Sequence, residues 1–100
     1  MNATVNTHGN EALVEVAGKL TVQISSDLEA LFMQLPHEVC DIDIDVSGVT
    51  YVSSAGLRVI ADADRLAAAR GGTMRLLHPN ARVLELLELT GLYDVLAIEL

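Results

Sequence analysis

Tyr51-Val52-Ser53-Ser54-Ala55-Gly56-Leu57-Arg58 is a small polar turn set between two strongly apolar segments, and its reading decides the fold. On its N-terminal side, Cys40-Asp41-Ile42-Asp43-Ile44-Asp45-Val46 alternates strictly between apolar and acidic residues. That alternation predicts a half-buried strand with Cys40, Ile42, Ile44 and Val46 on the inner face. On the C-terminal side, Val59, Ile60, Ala63, Leu66 and Ala67 recur at helical spacing from Gly56 to about Arg70, with Arg58, Asp62 and Arg65 on the opposite side. A strand therefore hands over to a helix at the two serines. Helix starts leave backbone N–H groups unpaired, favour an oxygen-bearing cap and stabilise an added anion. Ser54 is read as that cap, and also as an acceptor for phosphate, with Ser53 the alternative in either role.

Working outward, the segment Ala3 to His8 and the segment Glu11 to Ala17 read as two strands joined by a Gly9-Asn10 hairpin turn. Gly18-Lys19-Leu20-Thr21 then breaks the strand pattern. A helix is expected from Ser25 or Ser26, because Ser26 and Glu29 have capping-box spacing and Leu28, Leu31, Phe32 and Leu35 form one stripe. Pro36 ends it. Beyond the central helix, Gly71-Gly72 is a stop signal, Thr73 to His78 a strand, and Pro79-Asn80 the start of a third helix. Val83, Leu84 and Leu87 of that helix should face inward, with Arg82, Glu85 and Glu88 in water. Gly91 ends it and Ala97 to Leu100 offers a last short strand.

Residues 1–100 thus form a single α/β domain. Alternating strands and helices imply parallel pairing and the opening hairpin adds an antiparallel pair, so a mixed sheet of four to five strands is expected. The acidic alternates Asp41, Asp43 and Asp45 imply helices mainly on one face.

Composition narrows the function. The apolar share of 51% fits a globular core, and a net charge of −8 repels phosphate backbones. Eight acids and one base, Lys19, lie in the first half, against six acids and five arginines in the second. With Phe32, Tyr51 and Tyr93 the only aromatic residues, there is also no base-stacking platform. Nucleic acid is excluded as a partner on these grounds. The apolar runs are too short for a membrane span and the N-terminus lacks the basic and apolar regions of a signal sequence, so a cytoplasmic protein with protein partners is expected. The lone Cys40 cannot form an internal disulfide, fits a reducing compartment and reads as a small apolar side chain on a strand face.

Several chemistries fail on spacing. Asp41-Ile42-Asp43-Ile44-Asp45 imitates the start of a calcium loop, but the sixth position is Val46 where glycine is needed and the twelfth is Val52 where glutamate is needed. Ser54-Ala55-Gly56 matches half of a hydrolase elbow, yet Val52 stands where that motif has glycine, and His8, His37 and His78 lie at a hairpin, a loop and a strand end. No histidine and cysteine cluster has ligand spacing, and no phosphate-binding glycine loop occurs. A non-enzyme without metal or cofactor is the expectation. Arg58, one turn past Ser54, has two readings: an i, i+4 partner for Asp62, or a cation that steadies a phosphoserine.

The run from Asp45-Val46-Ser47-Gly48-Val49-Thr50-Tyr51-Val52 through Ser53-Ser54-Ala55-Gly56-Leu57-Arg58-Val59 resembles the signature of STAS domains, specifically the single-domain bacterial anti-sigma-factor antagonists. Gly18-Lys19-Leu20 and Leu89-Thr90-Gly91-Leu92 resemble flanking segments of the same family. The resemblance implies partner switching. The unphosphorylated antagonist binds an anti-sigma factor that is also a serine kinase and so frees a sigma factor; ATP-dependent phosphorylation at the position matching Ser54 releases it, and a metal-dependent serine phosphatase restores the hydroxyl. Thr21, Asp45, Ser53, Ser54, Ala55, Gly56 and Arg58 are the partner-binding residues so implied, in a protein that is monomeric when free. Two positions depart from the pattern. Many members carry aspartate immediately before the acceptor, where this chain has Ser53, and aspartate after the Gly-x-Leu turn, where it has Thr21. Two other roles for the same fold are a subunit of a lipid or solute transporter complex and a small-molecule sensor, although −8 opposes an anionic ligand.

Overall fold

The computed structural model describes residues 2–100. Strand β1 (Asn2–His8) pairs antiparallel with β2 (Glu11–Leu20) across Gly9-Asn10, where Gly9 takes a φ of 62°. Helix α1 (Val22–Met33) leads to β3 (Asp41–Val52), and α2 (Ser54–Ala69) leads to β4 (Met74–Leu77). Helix α3 (Ala81–Thr90), capped by Asn80, is followed by a 3₁₀ turn (Leu92–Asp94) and β5 (Ala97–Glu99).

Spatial order equals chain order, β1-β2-β3-β4-β5, with every pair from β2 onward parallel. Parallel crossovers are right-handed, so three successive steps in one direction put all three helices on the same face. Beneath them lies the core. Val14, Ile42, Ile44 and Leu76 from the sheet meet Leu28, Ile60 and Leu87 from the helices, each with no exposed surface. The other face is open and acidic, and on it Arg75 is held by both oxygens of Asp43 at 2.9 and 2.7 Å and by Glu99 at 3.0 Å.

The mixed sheet and single-faced helix layer follow the sequence reading; several boundaries do not. Strand β3 runs to Val52 instead of Val46, and β2 to Leu20 instead of Ala17. The register explains why. Glu15 pairs with Asp45 and Ala17 with Gly48; Gly18 pairs with Val49 and Lys19 with Tyr51. Each shift inserts one extra residue into β3, a bulge that changes the spacing of its buried residues from two (Ile42, Ile44, Val46) to three (Val49, Val52). A period-two signal stops at the first bulge although the strand continues.

Helix α1 begins at Val22, earlier than expected, because Thr21 is its cap and accepts from the Ile24 N–H at 3.3 Å. Ser25 is instead an interior helical residue whose hydroxyl donates to the Thr21 carbonyl at 2.6 Å, so Ser26 and Glu29 do not form a capping box. The helix stops at Met33, and Leu35 is buried from the following turn, not from the helix itself. Cys40 precedes β3, half-buried, its Sγ accepting from Asn10 Nδ2 at 3.6 Å. In α3, Leu86 packs on the core where Leu84 was expected, while Val83 and Leu87 are buried as expected.

Candidate functional site

Strands β2 and β3 are parallel neighbours, so their C-terminal ends deliver the starts of α1 and α2 to the same edge of the domain. Only Ser53 separates β3 from α2. Its N–H still continues the sheet, donating to the Leu20 carbonyl at 2.9 Å, while its own carbonyl accepts from the Leu57 N–H at 3.0 Å. Its backbone is extended (φ −77°, ψ 167°), and its Oγ accepts from the Gly56 N–H at 3.1 Å. Ser53 is therefore the N-cap, and it is 8% exposed.

Ser54, read from sequence as the cap, is the first residue of the helix itself and is exposed. Its hydroxyl has no hydrogen-bond partner among the described residues, and neither do the N–H groups of Ser54 and Ala55. A negative charge on the Ser54 oxygen would sit beside unpaired N–H groups at the positive end of a helix of 16 residues. The cap role therefore falls to Ser53, and the Ser54 hydroxyl is left free at the first turn of the helix.

Gly56 is buried where α2 closes on α1. A Cβ there would lie 3.0 Å from Val52 Cγ1 and 3.2 Å from both Leu20 Cβ and Ser25 Oγ. The missing side chain lets the first turn of α2 approach Val52 of β3, Leu20 of β2 and Ser25 of α1 closely. Ala55 is half-buried, Val22 is 68% exposed, and Thr21 stands at the neighbouring helix start. Arg58 is exposed one turn along α2. The expected pair with Asp62 is replaced by an i, i+3 pair from Arg65 at 2.8 Å, so Arg58 makes no ion pair among the described residues.

Asp45 is not brought to this edge. It lies on the open face, where its Oδ1 accepts from the Ser47 N–H at 2.9 Å and closes the first bulge of β3. That backbone hydrogen bond holds its carboxyl below the usual carboxylate range. The three aspartates of the calcium-like run stand in a row along an extended strand, with Asp43 engaged by Arg75. No group of three or more histidine, cysteine, aspartate or glutamate side chains could hold a metal among the described residues. No described histidine hydrogen-bonds Ser53 or Ser54, and no described helix is long and apolar enough to cross a membrane.

One contact on the helix face was not foreseen. Arg70 Nη1 donates to the carbonyls of Pro36 and Val39, each at 2.8 Å, and ties the turn after α1 to the end of α2.

Several known proteins are similar to this chain. A family model described as "Mlab, STAS domain" matches residues 3–98. The anti-sigma-B factor antagonist of Bacillus subtilis (strain 168) is 28% identical over 98 residues, covering 98% of this chain and 90% of that protein. An anti-sigma factor antagonist from Mycobacterium paratuberculosis superposes with a TM-score of 0.75 at 20% identity, covering 98% of this chain and 84% of that one. The Bacillus cell fate determinant SpoIIAA in its phosphorylated form gives 0.70 at 16% identity, with 98% and 90% covered.

Proposed function

Since residues 3–98 match its model, the chain belongs to the STAS-domain family, and on that premise we propose that it is an anti-sigma-factor antagonist working by partner switching. In its unphosphorylated state it binds an anti-sigma factor that is also a serine kinase, and so frees a sigma factor. The kinase transfers the γ-phosphoryl group of ATP to the Ser54 hydroxyl, which loses its proton, and ADP leaves. The complex then separates, and a serine phosphatase restores the hydroxyl by hydrolysis. The chain acts in the cytoplasm as substrate and binding module, not as catalyst, and needs no cofactor of its own.

The observation that carries this reading is the difference between adjacent serines: Ser53 is buried with its oxygen committed to the Gly56 N–H, whereas Ser54 is exposed and uncommitted. Phosphate adds about −1.5 to −2 charge at neutral pH. At Ser54 the N-terminus of α2 tolerates that charge, so the fold survives. A partner surface fitted to a hydroxyl would have to desolvate a dianion, beside a chain already at −8.

Calorimetric titration of an anti-sigma serine kinase with the parent, Ser54→Ala and Ser54→Asp proteins tests it. The alanine variant should bind like the parent, and the aspartate variant should stay folded and bind at least about tenfold more weakly. Equal affinity for Ser54→Asp and parent would remove Ser54 from the interface.

A further inference from the structure

Along the seam between α1 and α2, two adjoining depressions share Glu29 and Val59. The nearer one, about 230 Å³, begins at Ala55 beside Ser54 and is bordered by Val22, Ser26 and Arg58. The farther one, about 210 Å³, has Phe32 and Ala63 in its floor and Met33 and Leu66 as apolar walls. Its only charged lining residues are two acids, Glu29 and Asp62. Exposed apolar side chains mark both ends, Val22 at 68% and Met33 at 75%.

Shape and charge together select the occupant. Joined through Glu29 and Val59, the two depressions form one elongated seam between helices, which suits a row of side chains from a protein. A groove between two helices accepts the apolar ridge of a third, whose knobs recur at i, i+3, i+4 and i+7. At the Phe32 end, where the only charged lining residues are Glu29 and Asp62, the apolar floor calls for basic residues beside that ridge; Arg58 borders the other end. Asp62 gives one oxygen to Arg65, an exposed pair that competes weakly. Glu29 makes no ion pair among the described residues.

We propose that this groove docks an amphipathic helix of the anti-sigma partner, with aliphatic side chains on the Phe32 and Ala63 floor and lysine or arginine against Glu29 and Asp62. Contact with the partner then continues from Ser54 along the whole seam, instead of ending at the phosphorylation site. The owner of the helix is inferred from the function proposed above; its chemistry is inferred from the groove alone.

The probe is a fluorescein-labelled helical peptide of about four turns, with leucine at i, i+3, i+4 and i+7 and lysines on both sides. Fluorescence anisotropy with the full chain should show saturable binding, and methyl NMR should show shifts at Met33 and Ala63. Glu29→Lys combined with Met33→Lys alters exposed positions only and should leave the fold intact, yet weaken the peptide about tenfold or more. Replacing the peptide's leucines by serine should abolish binding. Unchanged affinity for the double variant, or methyl shifts confined to Leu13 beside Asp43 on the open sheet face, would overturn the proposal. The same double variant is then titrated with the anti-sigma kinase. If the kinase binds parent and double variant equally, the groove proposal fails and the functional reading stands. If the peptide docks in the groove but no anti-sigma factor binds the parent, the functional reading fails and the groove stands.

Discussion

Replacing Ser53 by alanine removes one oxygen from the molecule, and the structure fixes what that oxygen does. Ser53 Oγ accepts from the Gly56 N–H at 3.1 Å, in a position 8% exposed, so water cannot readily take over. Losing a helix cap costs about 0.5–2 kcal/mol, and leaving a buried donor unpaired costs about 1–3 kcal/mol; these describe the same event and do not add. A loss of about 1–2 kcal/mol is therefore expected for Ser53→Ala. In a domain of this size each kcal/mol lowers Tm by about 4–8 °C, so calorimetry should record a drop of roughly 4–16 °C. The paired control is Ser54→Ala, at an exposed hydroxyl without a partner, which should stay within about 0.5 kcal/mol of the parent. Urea unfolding of both variants gives the comparison directly. A Ser53→Ala loss below about 0.5 kcal/mol, or a larger loss for Ser54→Ala, would refute the assignment of cap and free hydroxyl.

Three further outcomes follow from the packing and the electrostatics. Phe32→Ala, at a ring 3% exposed, should cost about 3–5 kcal/mol in urea unfolding, and a loss below about 1 kcal/mol would mean that α1 does not pack as described. Gly56→Ala puts a methyl 3.0 Å from Val52 Cγ1 and 3.2 Å from Leu20 Cβ, so it should destabilise by about 1–3 kcal/mol despite alanine's better helix propensity, and a more stable variant would contradict that close approach. Asp45 has its folded-state pKa lowered by the Ser47 N–H, so its contribution is complete above the ordinary aspartate range and is lost as pH falls through the folded value. Asp45→Asn keeps an oxygen for the Ser47 N–H but cannot titrate. The stability difference between parent and variant should shrink on acidification, and a pH-independent difference would rule out that linkage.

The architecture was legible because its signals are local. Ile42 and Ile44 alternate with aspartates, Val59, Ile60, Ala63 and Ala67 repeat at helical spacing, and all six are buried as that pattern requires. What was not legible involves pairing between distant residues. The bulges of β3 show only in its register with β2, and they put Val49 and Val52 out of step with the period-two run that ends at Val46. Thr21 was hidden as a cap because β2 continues to Leu20, immediately before it. The two serines could not be ordered from sequence, since neither is followed three residues later by an acid that would complete a capping box. Their order depends on the Leu20 carbonyl, which takes the Ser53 N–H and fixes where the helix begins. Arg70, bonded to two carbonyls more than thirty positions away, left no sequence signal. Asp45 belongs to the family-like run in sequence, yet β3 turns it to the opposite face from Ser54.

The central claim is that Ser54, and not its neighbour, carries the switch. Incubating the protein with an anti-sigma serine kinase and ATP, then mapping the modified residue by mass spectrometry, tests it most directly. A single phosphate on Ser54 is expected, retained in Ser53→Ala and absent from Ser54→Ala; phosphate on Ser53 of the parent, or undiminished incorporation into Ser54→Ala, would contradict it.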